Sequence, residues 1–305
     1  MLAAGAWYHL KMSPVVTDLH YLLPWQFYPT VFLACVIAVV LYARGLAALR
    51  RSGTPVGFGR AFTFFLGIAL NYAVLQTYVD FLAQHMFWIH RLQHLILHHV
   101  GPVLIVLAAP QAVLRAGTPA PILQGLRRIP SWIRRPVRLL LRILQHPLIA
   151  PTLFVGLIFF WLTPEIHFTA MLDERRYLLM NWSMLIDGIL FWWLMLAPRQ
   201  EQGSAAIGYG TRIIILVAVA VPQMILGAYI ALRSTPLYSI YAVCGRAWDV
   251  SPLTDQQLGG LLTWIPAAMM SVVGVLVVLH HMMHDPEAAA PHGPLPPPVE
   301  PAGSA

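Results

Sequence analysis

The sequence predicts an all-α membrane protein, a polytopic bundle of seven transmembrane helices with its N-terminus outside and its C-terminus inside. Three observations predict this. Hydrophobic residues fill 58% of 305 positions and charged residues only 10%, where soluble domains carry roughly 25%, and the mean hydropathy is +0.68. Apolar windows of about 20 residues, enough to cross about 30 Å of hydrocarbon, can be found seven times. Arginines crowd alternate connections between those windows.

The windows cover residues 26–48, 60–79, 87–109, 147–163, 178–197, 211–232 and 256–281. The fourth is short and opens on Pro147 and Pro151. Residues 1–25 form an outer segment; they lack the basic start and long apolar run of a cleavable export signal. Arg44, Arg50, Arg51 and Arg60 flank the first connection, and Arg115, Arg127, Arg128, Arg134, Arg135, Arg138 and Arg142 crowd the third, whereas the second has neither Lys nor Arg. The positive-inside rule therefore places the first and third connections in the cytoplasm. Within the third, 110–146, "SWIRRPVRLLLRILQ" at 131–145 alternates arginines with leucines, the pattern of a basic amphipathic helix lying on anionic membrane lipid. The transmembrane domain runs over 26–284. The Pro- and Ala-rich residues 285–305 predict a disordered cytoplasmic tail.

The formal charge of +7 and pI near 9.7 come from these loops and form no continuous basic face, so no nucleic-acid partner is expected. Cys35 and Cys244 form no CxxC pair, which excludes a disulfide framework and a thiolate copper motif. No Ser-His-Asp order, P-loop or HExxH occurs, and the chain is not expected to be an enzyme.

"HMFWIHRLQHLILHHVGP", 85–102, places five histidines in and beside the third span. His90, His94 and His98 recur every four residues and Met86 extends the row outward, so the four share one stripe. His99 points elsewhere, and Gly101-Pro102 should kink the helix. Counting about 1.5 Å per residue brings Asn71, Asp187 and Gln223 to the depth of His94 and His98. Asp187 in hydrocarbon costs about 2.5–3.5 kcal/mol and needs a partner, His94 or His98. Such a layer is either a hydrogen-bonded seam between helices or a metal site. Thioether plus imidazole suits copper, particularly Cu(I); zinc accepts the same nitrogens, and imidazoles on facing helices suit haem b. His85 stands at the mouth of the stripe. A second candidate, "HHMMH" at 280–284, puts His280 and His284 on one face beside Met283; alternatively, these histidines serve the negative end of the helix.

"TPLYSIYAVCGRAWDVSPLTDQQLGGLLTWIP" (235–266), "HRLQHLILHHVGPVLIVLAAP" (90–110) and "DGILFWWLMLAP" (187–198) are three ordered motifs that resemble the caa3-type CtaG family of cytochrome c oxidase assembly factors. The resemblance covers roughly residues 60–283. It implies a seven-helix protein of the bacterial inner membrane that helps mature a haem-copper oxidase, with an oxidase subunit as partner and copper as the expected cargo. It carries over to His90, His94, Asp255, Gln256 and Trp264; Thr263 stands where many members carry methionine. Asp255 opens the seventh span, where a carboxylate caps free amides, and with His85, Met86 and His90 it would form an acidic, soft entrance for a cation. Two alternatives stand beside it: a b-type haem or quinone-linked membrane redox protein, and a metal-free membrane scaffold for an oxidase subunit.

Overall fold

The computed structural model describes residues 26–198 and 207–285, and within them every regular element is helical. The expectations for residues 1–25 and for the tail beyond Asp285 lie outside the described residues. Among the described residues five helices are long and apolar enough to cross a membrane. They are α1 (Pro29–Arg51), α2 (Phe58–Gln76), α11 (Glu174–Leu196), α12 (Tyr209–Leu232) and α14 (Pro252–His284). Two bent pairs raise the number to as many as seven. One joins Phe87–Leu107 to α6 (Gln111–Gly117) at 73°, and the other joins α8 (Ser131–Leu144) to α9 (Ile149–Leu162) at 75°. Each apolar window of the sequence falls on one of these helices.

The connection after α2 is α3 (Tyr78–His85), capped by the Thr77 hydroxyl, which accepts from the Val79 amide. Met86 is extended, with φ −137° and ψ 123°, and breaks the chain before α4 (Phe87–Leu95). The chain then passes through a π-turn, Ile96–Val100, into α5 (Gly101–Leu107). Pro102 explains the irregularity: in a regular helix the His98 carbonyl would accept from residue 102, which has no N–H. The indole of Trp192 on α11 supplies the donor at 3.0 Å. The sharp turn expected at Gly101-Pro102 comes later, after Leu107, where Ala109 adopts φ 43°. Arg60 fixes that turn by donating to the carbonyls of Ala108 and Ala109 at 3.0 and 2.9 Å.

The arginine-rich connection is itself helical. Its first part, α6, packs on α1, with Val113 buried and Arg44 donating to the Gly117 carbonyl at 3.2 Å. Neither α7 (Ala120–Arg128) nor α8 buries any residue. Placing the four arginines of α8 in hydrocarbon would cost about 2.5–3.5 kcal/mol each, so α8 is not a continuation of α9 across a membrane. Shorter helices fill two further connections, α10 (Pro164–Leu172) between α9 and α11, and α13 (Ile240–Val243) between α12 and α14.

Candidate metal centre

His90 and His94 occupy successive turns of α4 and are buried, with rings 4.4 Å apart and tilted by 32°. None of their four ring nitrogens has a hydrogen-bond partner among the described residues. Asn181 on α11 approaches His94, and its side-chain amide likewise makes no hydrogen bond among the described residues. Leaving a buried polar group unpaired costs about 1–3 kcal/mol, so this pair is unfavourable unless something binds it. His167 on α10 stands edge-on to His90 at 4.9 Å. Its Nδ1 lies 3.1 Å from the Trp161 carbonyl and its Nε2 2.9 Å from the Tyr241 hydroxyl. A carbonyl only accepts, so Nδ1 carries the proton and Nε2 accepts from Tyr241. Burial pushes the His167 pKa down to about 3, which keeps the ring neutral.

Beyond the start of α4, Asp80 of α3 is buried and accepts from four neutral donors. Tyr177 donates at 2.7 Å and Gln93 at 3.0 Å to one oxygen, Gln84 at 2.9 Å and Tyr28 at 3.5 Å to the other. Burial, partly offset by these donors, raises its pKa to about 6. Tyr177 bridges towards the histidines, its ring 6.3 Å from that of His90.

Further along the same segment, His98 donates through Nε2 to Asp187 at 3.0 Å, which selects it over His94 as the partner of that carboxylate. Its ring stacks on Phe154 at 4.0 Å. Gly188 follows Asp187, and a Cβ there would sit 2.7 Å from the His98 carbonyl oxygen. Asp187, Gly188 and Trp192 thus take hold of His98 by side chain, backbone contact and carbonyl. His99 faces Phe154 and Trp192. A small cavity beside this group is lined by Arg91, His94, His98, His99, Gln223 and Thr263, among others.

Helix α14 organises the start of α4. Asp255 accepts from the backbone amides of Phe87 and Trp88 at 3.1 and 2.9 Å. It therefore caps α4, not its own helix as the sequence predicts; Ser251 caps α14 through the Thr254 amide. One turn on, the Phe87 ring fills the space that a Cβ at Gly259 would need. Another turn on, Thr263 accepts from the buried Arg91 guanidinium at 2.9 Å. Gln256 ties α14 to the carbonyls of Ile230 and Thr235. The row Asp255, Gly259, Thr263 fixes the start and rotation of α4, and so where His90 points.

The sequence-predicted residues consequently divide. His90 and His94 stand together. Met86, being extended before the helix starts, leaves the stripe and packs among Ala83 and Ile89 instead. His85 donates to the Phe81 carbonyl of its own helix at 2.8 Å and leans on the Phe81 ring. Asp255 is engaged by two amides and by Arg246 at 3.5 Å. Asn71 and Gln223 donate to carbonyls of their own helices, so the polar layer is not a continuous seam between helices. At the far end His280 and His284 are neighbours at 4.3 Å, with Met283 exposed. Among the described residues no three His, Cys, Asp or Glu side chains gather as a set able to hold a metal ion.

The periodic pattern gives no weight to Asp80, Gln93, Arg91 or Tyr177, and marks His167 only as an outer residue. One signal for Asp80 does exist: it is the sole acidic residue of a short connection that has no basic partner.

The signature of the cytochrome c oxidase caa3 assembly factors matches residues 40–285. Uncharacterized proteins of Mycobacterium bovis and Mycobacterium tuberculosis are each 29% identical over 289 residues, 89% of this chain and 41% of theirs. A Mycobacterium leprae protein, also uncharacterized, is 26% identical over 285 residues with the same coverage. The chain thus spans about two fifths of the length of these curated relatives. No solved structure matches it.

Proposed function

This chain belongs to the cytochrome c oxidase caa3 assembly factor family, and from that premise we propose that it holds Cu(I) within a bacterial inner membrane for an oxidase subunit under assembly. The observation that carries this reading is the pair His90 and His94, buried side by side with all four ring nitrogens unpartnered among the described residues. Neutral imidazoles bind copper, and Cu(I) tolerates two ligands. Zinc asks for four protein ligands, or for three and a water, and the described residues bring no such three together. A buried guanidinium, Arg91, is the next residue after His90, which penalises a divalent ion more than a monovalent one.

The role needs no covalent chemistry. In the orientation that the arginine-rich connections favour, the N-terminus lies outside and the buried histidine pair lies in the outer half of the membrane. Haem b asks for imidazoles on facing helices. His167 is the imidazole facing His90, and both its nitrogens are already bonded.

The test is copper retained by protein purified under reducing conditions, measured by mass spectrometry. Wild type should retain copper, and His90→Ala and His94→Ala should lose it and fail to restore oxidase activity in a deletion strain. Copper retained by both variants would overturn the histidine pair as the site, and oxidase activity restored by variants without copper would leave the metal-free scaffold as the reading.

A further inference from the structure

Among the described residues helices α7 and α8 bury no side chain: Leu123 and Leu144 are half-buried and their other apolar side chains are exposed. On α8, Trp132 is 73% exposed and Leu140 55%. At about 100° per residue, Arg134, Arg135, Arg138 and Arg142 fall within an arc of about 100°, and every apolar side chain of α8 lies outside it. The shorter α7 repeats the division, with Ile122 and Leu126 on one side and Arg127 and Arg128 on the other.

Orientation supplies a second observation. The axis of α8 turns 75° from that of α9, which enters the bundle. Gln145, just after α8, donates to the Leu190 carbonyl at 2.8 Å, about 9 Å from the end of α11 at the rise of a helix. A helix at that level, nearly perpendicular to a span, lies along the membrane boundary. A soluble acidic partner could use the arginine arc only by leaving the apolar arc in water. An anionic bilayer surface satisfies both arcs at once, since acyl chains take the apolar one and phosphates the guanidinium groups. Arginines at the borders of the apolar arc can reach outward to the phosphates on their aliphatic stems.

We propose that α7 and α8 form a docking surface for anionic phospholipid, lying in the headgroup layer with arginines on phosphate and apolar side chains in the acyl boundary. This rests on the two helices alone and is independent of any metal. The test places single spin labels at Leu140→Cys and at Arg138→Cys in the full chain, with Cys35→Ser and Cys244→Ser, in lipid nanodiscs containing phosphatidylglycerol. The Leu140 label should collide with oxygen and be shielded from a water-soluble nickel chelate, and the Arg138 label should show the reverse. Native mass spectrometry should find phosphatidylglycerol retained over phosphatidylcholine, with that preference reduced severalfold when Arg134, Arg138 and Arg142 are all changed to Gln. A Leu140 label open to the nickel chelate, or shielded from both reagents as in a protein interface, overturns the proposal. An unchanged lipid preference in the triple variant does so too.

Discussion

The indole of Trp192 donates to the main-chain carbonyl of His98 across 3.0 Å, serving an acceptor that Pro102 leaves without its helical donor. The contact joins two segments far apart in sequence, and it holds the histidine-rich segment where its helix is irregular.

Trp192→Phe should leave this buried carbonyl unpaired and lower stability by about 1–3 kcal/mol. Pro102→Ala restores an N–H at residue 102, so the same tryptophan change should cost less in that background. Thermal unfolding of the four proteins in detergent gives the double-mutant cycle. Equal costs in both backgrounds would show that the indole acts through packing alone.

Asp255 holds two amides at the start of α4. Asp255→Ala should cost about 0.5–2 kcal/mol as the loss of an N-terminal cap. It should also loosen α4, with faster amide exchange at Phe87 and Trp88 while α14 keeps its own cap at Ser251. Hydrogen exchange read by mass spectrometry checks both halves of that statement.

Tyr241 occupies Nε2 of His167, the ring nitrogen that would otherwise be free beside His90. If copper sits at His90 and His94, Tyr241→Phe should release His167 as a third ligand. X-ray absorption should then report a higher coordination number than in wild type. The same count in both proteins would confine His167 to a structural role.

Asp80 gives the pH dependence a sign. Its pKa is about 6 in the folded chain, against 3.8 for an ordinary aspartate. Between those values the folded state binds more protons than the unfolded one, so stability falls as pH rises from about 4 to 6 and then levels. Asp80→Asn should flatten that part of the profile. Melting temperatures across pH 4–8 measure it, and an unaltered slope would move the effect to another group.

The helical membrane class, the position of each apolar window, the segregation of arginine and the pairing of His90 with His94 are all legible in the sequence. They depend on composition, on length and on a period of 3.6 residues, which are local quantities. Counting along the helices also brings Asp187 to the depth of His98. Everything else waits on the packing of helices. Met86 leaves the stripe because the chain is extended just before α4, a start fixed by Asp255 from 168 positions away. Asp255 itself serves a neighbouring helix because the amides closest to it in space are not the closest in sequence. Asp80, Gln93 and Tyr177 become one network, and His167 comes beside His90, only when separate helices meet. Hydrogen-bond partners in a bundle are set by which faces pack together, and a periodic pattern along one helix does not name the residue opposite it.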